Sequence, residues 1–441
     1  PATLLTRCLD APYLFALDGG NSTSWGKGVA RIGFGPRAVL RVAADASATL
    51  VEDGRSRSWQ GDPFALLDRF CAEYGEASEA ADPEGNGIVT ALSYDLRCCI
   101  ERLPPRRLVP PVLLHAAAYD WLLIYDYVDQ KYRLSSTSRS SHQLNDIAER
   151  LLAYARRPAR ESLSQPICIR PRWNSERYEA AVRKVLDYVA AGDVYQVNLA
   201  QEFVGAGQVD ATRLFATMLE SNAVPYAAYV DTGDCRLVSN SPECFFTLTG
   251  STLSTYPIKG TRQRGADPTD DMKQLAALRS DEKERAEHIM IVDLERNDLG
   301  RICRTGTVHV DELAQVHTFP SLHHLISTIR GELPAGTPLS MVLRATFPGG
   351  SITGAPKLRA MEIIDEIEAT SRGFYTGSIG FLSASGEATF NIAIRTAVVT
   401  ADGVSYHSGG GIVADSQPQR EHDEILLKAR PFLDAVASSA E

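Results

Sequence analysis

One lysine and two pairs of glutamates are the residues of this chain whose types and spacing could carry chemistry. Lys259 stands in Tyr256-Pro-Ile-Lys-Gly-Thr-Arg262, a primary amine next to a glycine turn. Such an amine is a candidate nucleophile if desolvation or a neighbouring cation keeps it uncharged. A lysine standing alone after a strand would read instead as a surface ammonium. Glu284 and Glu287 are three apart in Ser280 to Leu294, a stretch that opens on a capping residue and reads as a helix, so they share a face. A second helix opens at Ser416-Gln-Pro-Gln419, a capping box with proline in the first turn, and carries Glu421, Glu424 and Lys428 on one face. Four carboxylates with no cysteine nearby are a hard oxygen donor set that suits Mg²⁺. Each pair alone reads equally as a solvated helix face, and spacing in sequence cannot bring two helices together.

The elements that must position these groups are legible in outline. From Thr3 to about Ala153, short apolar runs such as Leu108–Leu114 and Trp121–Asp126 alternate with turn-rich segments such as Glu84-Gly-Asn-Gly87, the pattern of short strands with occasional helices. A polar, proline-bearing stretch runs from Arg156 to Arg172 and holds the basic cluster Arg156-Arg-Pro-Ala-Arg160, read as solvated linker. The spacing of Tyr178, Ala181, Val182, Val185, Leu186 and Val189 predicts a helix over Glu176–Ala191, with Ser175 as N-cap and Gly192 as terminator. Tyr195–Phe203 and Leu237–Leu248 read as strands, and Gly373–Ser408 as a three-stranded meander turning at Ser385-Gly386 and Asp402-Gly403. Long antiparallel strands with amphipathic helices between them indicate an α+β architecture and not a doubly wound parallel sheet.

Composition narrows the function classes. The 441 residues are 44% hydrophobic and 23% charged, and no apolar run approaches the roughly 20 residues needed to span a bilayer. The first residues, Pro1 to Arg7, carry no export pattern, so a cytoplasmic location is expected. Eight sparse cysteines, with Cys98-Cys99 the one close pair, are expected to be reduced and to bind no metal. A formal charge of −10 argues against nucleic-acid binding.

From about Ser175 onward the chain resembles the chorismate-utilising enzymes, which include anthranilate, isochorismate, salicylate and aminodeoxychorismate synthases. The matching segments are Gly192-Asp-Val-Tyr-Gln-Val-Asn-Leu199, Ser241-Pro-Glu243, Pro257-Ile-Lys-Gly-Thr261, Ala286-Glu-His288, Asp293-Leu-Glu-Arg-Asn-Asp-Leu-Gly300, Phe347 to Lys357, Ile394-Arg-Thr396 and Gly409-Gly-Gly-Ile-Val-Ala-Asp-Ser416. The resemblance implies a large antiparallel β-sandwich core with helices packed outside. It also implies that residues 1–155 are an N-terminal β-rich region contributing to the sandwich, that 156–172 are a linker and that 173–441 are the catalytic region.

The same resemblance assigns roles. Glu287 and Glu424 would bind Mg²⁺ with Glu284 and Glu421 in support, and the metal would take the ring carboxylate of chorismate, with Lys428 adding charge. The enolpyruvyl carboxylate would meet Arg395, Tyr375 and backbone N–H groups near Gly409 and Gly411, read as a glycine-rich turn. His324 and Ser351 match pocket-lining positions, with His323 an adjacent rival for the histidine's place. Family members that make anthranilate, isochorismate or salicylate have alanine where this chain has Lys259, whereas aminodeoxychorismate synthases carry the lysine. Lys259 would then attack C2 of chorismate with Glu243 as general acid, and ammonia from a separate glutamine amidotransferase subunit would add at C4. No segment here supplies the Cys-His-Glu set of a glutaminase or a pyruvate-releasing lyase, so 4-amino-4-deoxychorismate is the expected product. The alternatives are an anthranilate or isochorismate synthase, or a silent chorismate-binding subunit. Leu14–Gly20 and Asn222-Ala-Val-Pro-Tyr226 depart from the segments that shape a tryptophan pocket in relatives, which leaves tryptophan control in doubt.

Overall fold

Two antiparallel sheets frame the structure. The computed structural model describes residues 1–8, 10–20, 28–75, 86–101, 103, 112–136, 141–158, 167–319, 322–368 and 370–439. Among them the first sheet has 11 strands and the second 12. The first runs Arg170–Pro171, Gln196–Ala206, Gly403–Ile412, Thr396–Val399, Arg236–Ser241, Tyr226–Asp231, Phe15–Asp18, Val29–Gly33, Trp121–Asp126, Lys131–Ser136, with Gly354–Ala355 paired to Gln196–Ala206. The second runs Ile258–Gln263, Leu322–Glu332, Thr252–Thr255, Cys244–Thr249, Ala388–Asn391, Ser378–Ser383, Gly87–Leu92, Val112–Tyr119, Ala38–Ala43, Ser47–Glu52, Arg55–Gln60, with His309–Thr318 on Leu322–Glu332. The expected segments 84–85, 108–111 and 159–166 lie outside the described residues.

The sheets face each other across one apolar layer, in which Phe15, Leu17 and Leu237 of the first meet Val89, Ile379 and Phe381 of the second. A sheet that is apolar on both faces must be covered twice. Helices Pro63–Tyr74 and Leu339–Thr346 cover the outer face of the second sheet; Ser175–Ala190, Ala211–Ser221, Lys357–Ile367 and Pro418–Ser439 cover the first. Early strands are interior members of both sheets, because Phe15–Asp18 pairs with Tyr226–Asp231 and Gly87–Leu92 with Ser378–Ser383.

Four local expectations are corrected. The stretch Leu237–Leu248 is two strands in different sheets, broken at Pro242, which has no N–H to give a ladder. The supposed meander is four strands, and the chain changes sheets between Asn391 and Thr396. Asn174, whose side chain accepts from Arg177 N at 3.1 Å, replaces Ser175 as N-cap. Ser280 ends the helix Pro268–Ser280, and Asp281 caps the next one, Glu282–Gly300, by accepting from Glu284 N at 3.1 Å. Asparagine and aspartate fill these caps because their short side chains reach the free N–H groups of the first turn.

A buried ion pair ties the first sheet to the segments that carry the site. Arg372, fully buried, donates to Glu368 Oε1 at 2.7 Å, to the Asn198 carbonyl at 2.6 Å and to the Ile352 carbonyl at 3.0 Å. Glu368 Oε1 also accepts from Ala200 N at 3.0 Å. Replacing Arg372 by Met leaves a buried carboxylate without its partner and is expected to destabilise the fold by about 3–5 kcal/mol. Urea unfolding measures this, and the double variant Arg372→Met/Glu368→Met should recover part of the loss; a single variant within about 0.5 kcal/mol of the parent contradicts the assignment.

Candidate active site

Two of the places where the chain changes sheets lie side by side and are hydrogen-bonded to each other. Ser241 Oγ donates to the Ile392 carbonyl at 2.6 Å, Ile392 N to the Glu243 carbonyl at 3.0 Å, and Asn240 N to the Arg395 carbonyl at 3.0 Å. One crossing delivers Glu243 and the other Arg395. Arg395 takes φ = +50°, a left-handed conformation unusual for a side chain of this size and typical of residues held in place at a functional site.

Glu243 is buried, and its Oε1 accepts from Ser351 Oγ at 2.7 Å. Burial raises its pKa, opposed by the Ser351 hydrogen bond and by the charges of Lys259 and Arg395. A carboxyl pushed toward its neutral form can act as a general acid.

Lys259 lies on the edge strand Ile258–Gln263, half-buried, with a β-bulge at Gly260 between its pairing with Leu325 and that of Thr261 with His324. Gly260 has φ = +58°, and a Cβ there would sit 2.9 Å from Leu278 Cδ1, so both the conformation and the packing require glycine. The positive charge of Lys259 acts on Glu243, Glu287 and His288. Neither Lys259 nor Arg395 has a side-chain ion pair or hydrogen bond among the described residues. Two partly buried cations without partners, flanking a buried acid, are a ready receptor for an anion.

The register separates the two histidines. His323 is fully buried with both ring nitrogens engaged, by Thr318 Oγ1 and Asp271 Oδ1 at 2.9 Å each. His324 Nδ1 meets Thr261 Oγ1 at 3.0 Å; burial lowers its pKa, and the Arg395 charge adds to the effect. His324 is therefore the one that shares the electrostatic environment of Arg395.

Glu284 and Glu287 come from the helix Glu282–Gly300, and Glu421 and Glu424 from Pro418–Ser439. Burial raises Glu287, and the Glu284 and Glu421 charges add to the rise; burial also raises Glu421, with Glu424 adding. The two helices therefore bring their carboxyls within electrostatic reach, which spacing could not establish. Among the described residues no three His, Cys, Asp or Glu side chains converge in metal-ligand geometry. Mg²⁺ usually takes only one or two protein carboxylates and completes its shell with water and substrate oxygens, so this all-oxygen, mutually repelling set fits the ion in kind. Lys428 is engaged locally, with its Nζ 2.6 Å from Glu424 Oε1 and 3.2 Å from the Gly409 carbonyl.

The glycine-rich turn is corrected: Gly409 to Gly411 lie in the strand Gly403–Ile412, paired with Ala200, Leu199 and Asn198. A Cβ on Gly410 would meet Glu421 Oε2 at 3.5 Å and Lys428 Nζ at 3.8 Å, ordinary contact distances that place the carboxylate helix directly over this strand. Tyr375 is buried, its ring parallel to His407 at 5.1 Å. Tyr406, a residue not singled out from sequence, acts on the Tyr375 phenol and is itself acted on by the Arg395 charge. Two further groups were missed. Gln196 is fully buried with neither amide atom hydrogen-bonded among the described residues, and it stands inside the Tyr195–Leu199 motif. Burial pushes the Glu295 carboxyl up to about 8, with Glu243 and Asp298 adding repulsion; nothing in a helical glutamate's spacing signals that it faces inward.

A buried acid, two unpaired cations and a carboxylate cluster set into a two-sheet sandwich define an enzyme for a small polyanionic substrate. The chain belongs to the chorismate-binding enzyme family, whose model matches residues 14–434. It is 41% identical over 398 residues to aminodeoxychorismate synthase component 1 of Escherichia coli, covering 87% of this chain and 85% of that protein. It is 37% identical over 396 residues to anthranilate synthase component 1 of Streptomyces coelicolor, covering 85% and 78%. The crystal structure of anthranilate synthase component I from Streptococcus pneumoniae superposes with a TM-score of 0.79 at 29% identity, covering 92% of each chain.

The Ser351 hydroxyl favours the ionised form of Glu243, so Ser351→Ala should raise the Glu243 pKa further. If Glu243 is the acid, the alkaline limb of kcat/KM moves to higher pH while the plateau falls by about tenfold. A pH–rate profile whose alkaline limb stays in place rules out Glu243 as the group that sets it.

Proposed function

We propose that this chain converts chorismate and ammonia to 4-amino-4-deoxychorismate, the aminodeoxychorismate synthase reaction, in the cytoplasm and as the partner of a glutamine amidotransferase subunit. The observation that carries this reading is the lysine at position 259, whose charge acts on both Glu243 and Glu287. The E. coli, Klebsiella aerogenes, Salmonella and Bacillus subtilis relatives bearing the aminodeoxychorismate synthase name support it, at 37–42% identity.

In this reading Arg395 anchors the enolpyruvyl carboxylate, assisted by Tyr375 and by backbone N–H groups around Gly409 and Gly411. Glu284, Glu287, Glu421 and Glu424 would hold Mg²⁺, which when bound supplies positive charge to the ring carboxylate. Lys428, now bonded to Glu424, would turn toward that carboxylate. His324 lines the pocket beside Arg395. The neutral Lys259 amine attacks C2. The C1–C2 π pair moves to C1–C6, the C5–C6 pair moves to C4–C5, and the C4 oxygen leaves as water with the proton of Glu243. Ammonia then adds at C4, the π pairs return, and Lys259 departs from C2. The Glu243 carboxylate recovers a proton from the new ammonium, so one water leaves for each nitrogen gained.

An anthranilate or isochorismate product would need a nucleophile other than Lys259 to remain at C2. Turnover with ¹⁵N-ammonium, Mg²⁺ and chorismate, followed by NMR of the product, is expected to place nitrogen at C4. Nitrogen or oxygen at C2, or no turnover at all, sinks the proposal. Glu243→Gln should lower kcat by about 10²–10⁴-fold in the same assay.

A further inference from the structure

Tyr375, which the proposed function places at the enolpyruvyl carboxylate beside Arg395, stands on no regular element. It lies between the helix Lys357–Ile367 and the strand Ser378–Ser383, where its N–H donates to the Arg372 carbonyl at 3.0 Å and the next residue, Thr376, takes φ = +58°. Burial raises the pKa of the phenol, so the hydroxyl keeps its proton and meets a carboxylate as a donor. A donor on a loop is useful only when something holds its direction, and no strand ladder does so here.

Two groups stand against the Tyr375 ring. The guanidinium carbon of Arg372 lies 5.8 Å from the ring centre, and the His407 imidazole is stacked on it at 5.1 Å with the two planes 11° apart. A nearly parallel pair at this separation is an offset stack, which contributes about two- to tenfold to an equilibrium constant beyond the burial of the rings. His407 is only 8% exposed and sits within the strand Gly403–Ile412, opposite Glu202, in a register that runs unbroken from Val197 opposite Ile412 to Ala206 opposite Gly403. Side chains alternate along a strand, so His407 shares a face with positions 409 and 411, the glycines proposed to approach the same carboxylate. One rigid strand therefore carries both those glycines and the ring that backs Tyr375.

We infer that His407 is a positioning residue for substrate binding: its imidazole, stacked on Tyr375, holds the phenol in line with the enolpyruvyl carboxylate. This rests on the reading of Tyr375 as a ligand of that carboxylate. His407 transfers no proton in this role; what the site takes from it is a flat ring on a fixed strand.

The test combines steady-state kinetics at saturating ammonium with calorimetric titration of chorismate and Mg²⁺ in a Lys259→Ala background, where no adduct can form. His407→Ala is expected to raise KM for chorismate and weaken its binding by about 3–10-fold with kcat held within about twofold, because the stack acts equally in the ground and transition states. His407→Phe keeps a flat ring and should bring KM back to within about twofold of the parent. In a Tyr375→Phe background, which lacks the hydroxyl, His407→Ala should cause no further loss, as expected of a residue that acts through Tyr375. Thermal melting reports folding, and His407→Leu takes the place of the alanine variant if that one does not fold. Unchanged affinity without the imidazole, no rescue by phenylalanine, or an equal loss with and without the Tyr375 hydroxyl overturns the inference. A Tyr375→Phe variant that binds chorismate as the parent does removes the carboxylate role and this inference with it, whereas a parent that neither binds nor turns over chorismate refutes the proposed function itself.

Discussion

The structure turns on a pair of neighbouring sheet crossings. In a two-layer β protein a strand that changes sheets must leave one ladder and find another, and its backbone groups need partners on the way. Here the two crossings satisfy each other: Ser241 and Asn240 of one bond Ile392 and Arg395 of the other, and Ile392 bonds Glu243. The same bonds that close the sandwich therefore fix a buried acid and an unpaired guanidinium side by side. Ser351 and the bulged edge strand of Lys259 are then added from two further elements, each with its own lock, the 2.7 Å bond to Glu243 for the first and the left-handed Gly260 for the second.

The electrostatics of the pocket follow from this packing. Glu243, Glu287, Glu295 and Glu421 are all pushed up, in each case chiefly by burial. Among the described residues Lys259 lies with them without an ion-pair partner, and Arg395 is without one at the other side. Carboxyls driven toward neutrality and cations denied a fixed counterion describe a site whose charge balance is completed by its ligands. A substrate with two carboxylates and a divalent cation supplies both signs.

Much of this was legible in the sequence, for identifiable reasons. The helices bearing Glu284, Glu287, Glu421 and Glu424 follow from their capping signals and from the three-residue spacing of the glutamates, and the antiparallel class follows from hairpin dipeptides and long strands. The sheet changes at Pro242 and after Asn391 were not legible, because a strand that crosses between layers keeps the composition of one that does not. Gly409 to Gly411 read as a turn because three glycines usually mean one; in the fold a Cβ on Gly409 would sit 2.7 Å from the Leu199 carbonyl oxygen and one on Gly411 3.0 Å from the Gln196 amide carbon, contacts that belong to tertiary packing. Asn174 and Asp281 took the caps assigned to Ser175 and Ser280 because a one-residue shift leaves the apolar face unchanged. Arg372 and Glu368, four apart, carry no signal in their spacing, and only the fold shows them buried and bonded to the Asn198 and Ile352 carbonyls.

The central claim is that the amine of Lys259 becomes bonded to the substrate ring. Intact-protein and peptide mass spectrometry after mixing enzyme, Mg²⁺ and chorismate in the absence of ammonia tests it most directly. The account predicts an adduct of chorismate less one water on the peptide bearing Lys259, discharged when ammonia is added. A preparation that turns over normally with ammonia yet never carries that adduct, even when quenched on the timescale of a single turnover, contradicts it.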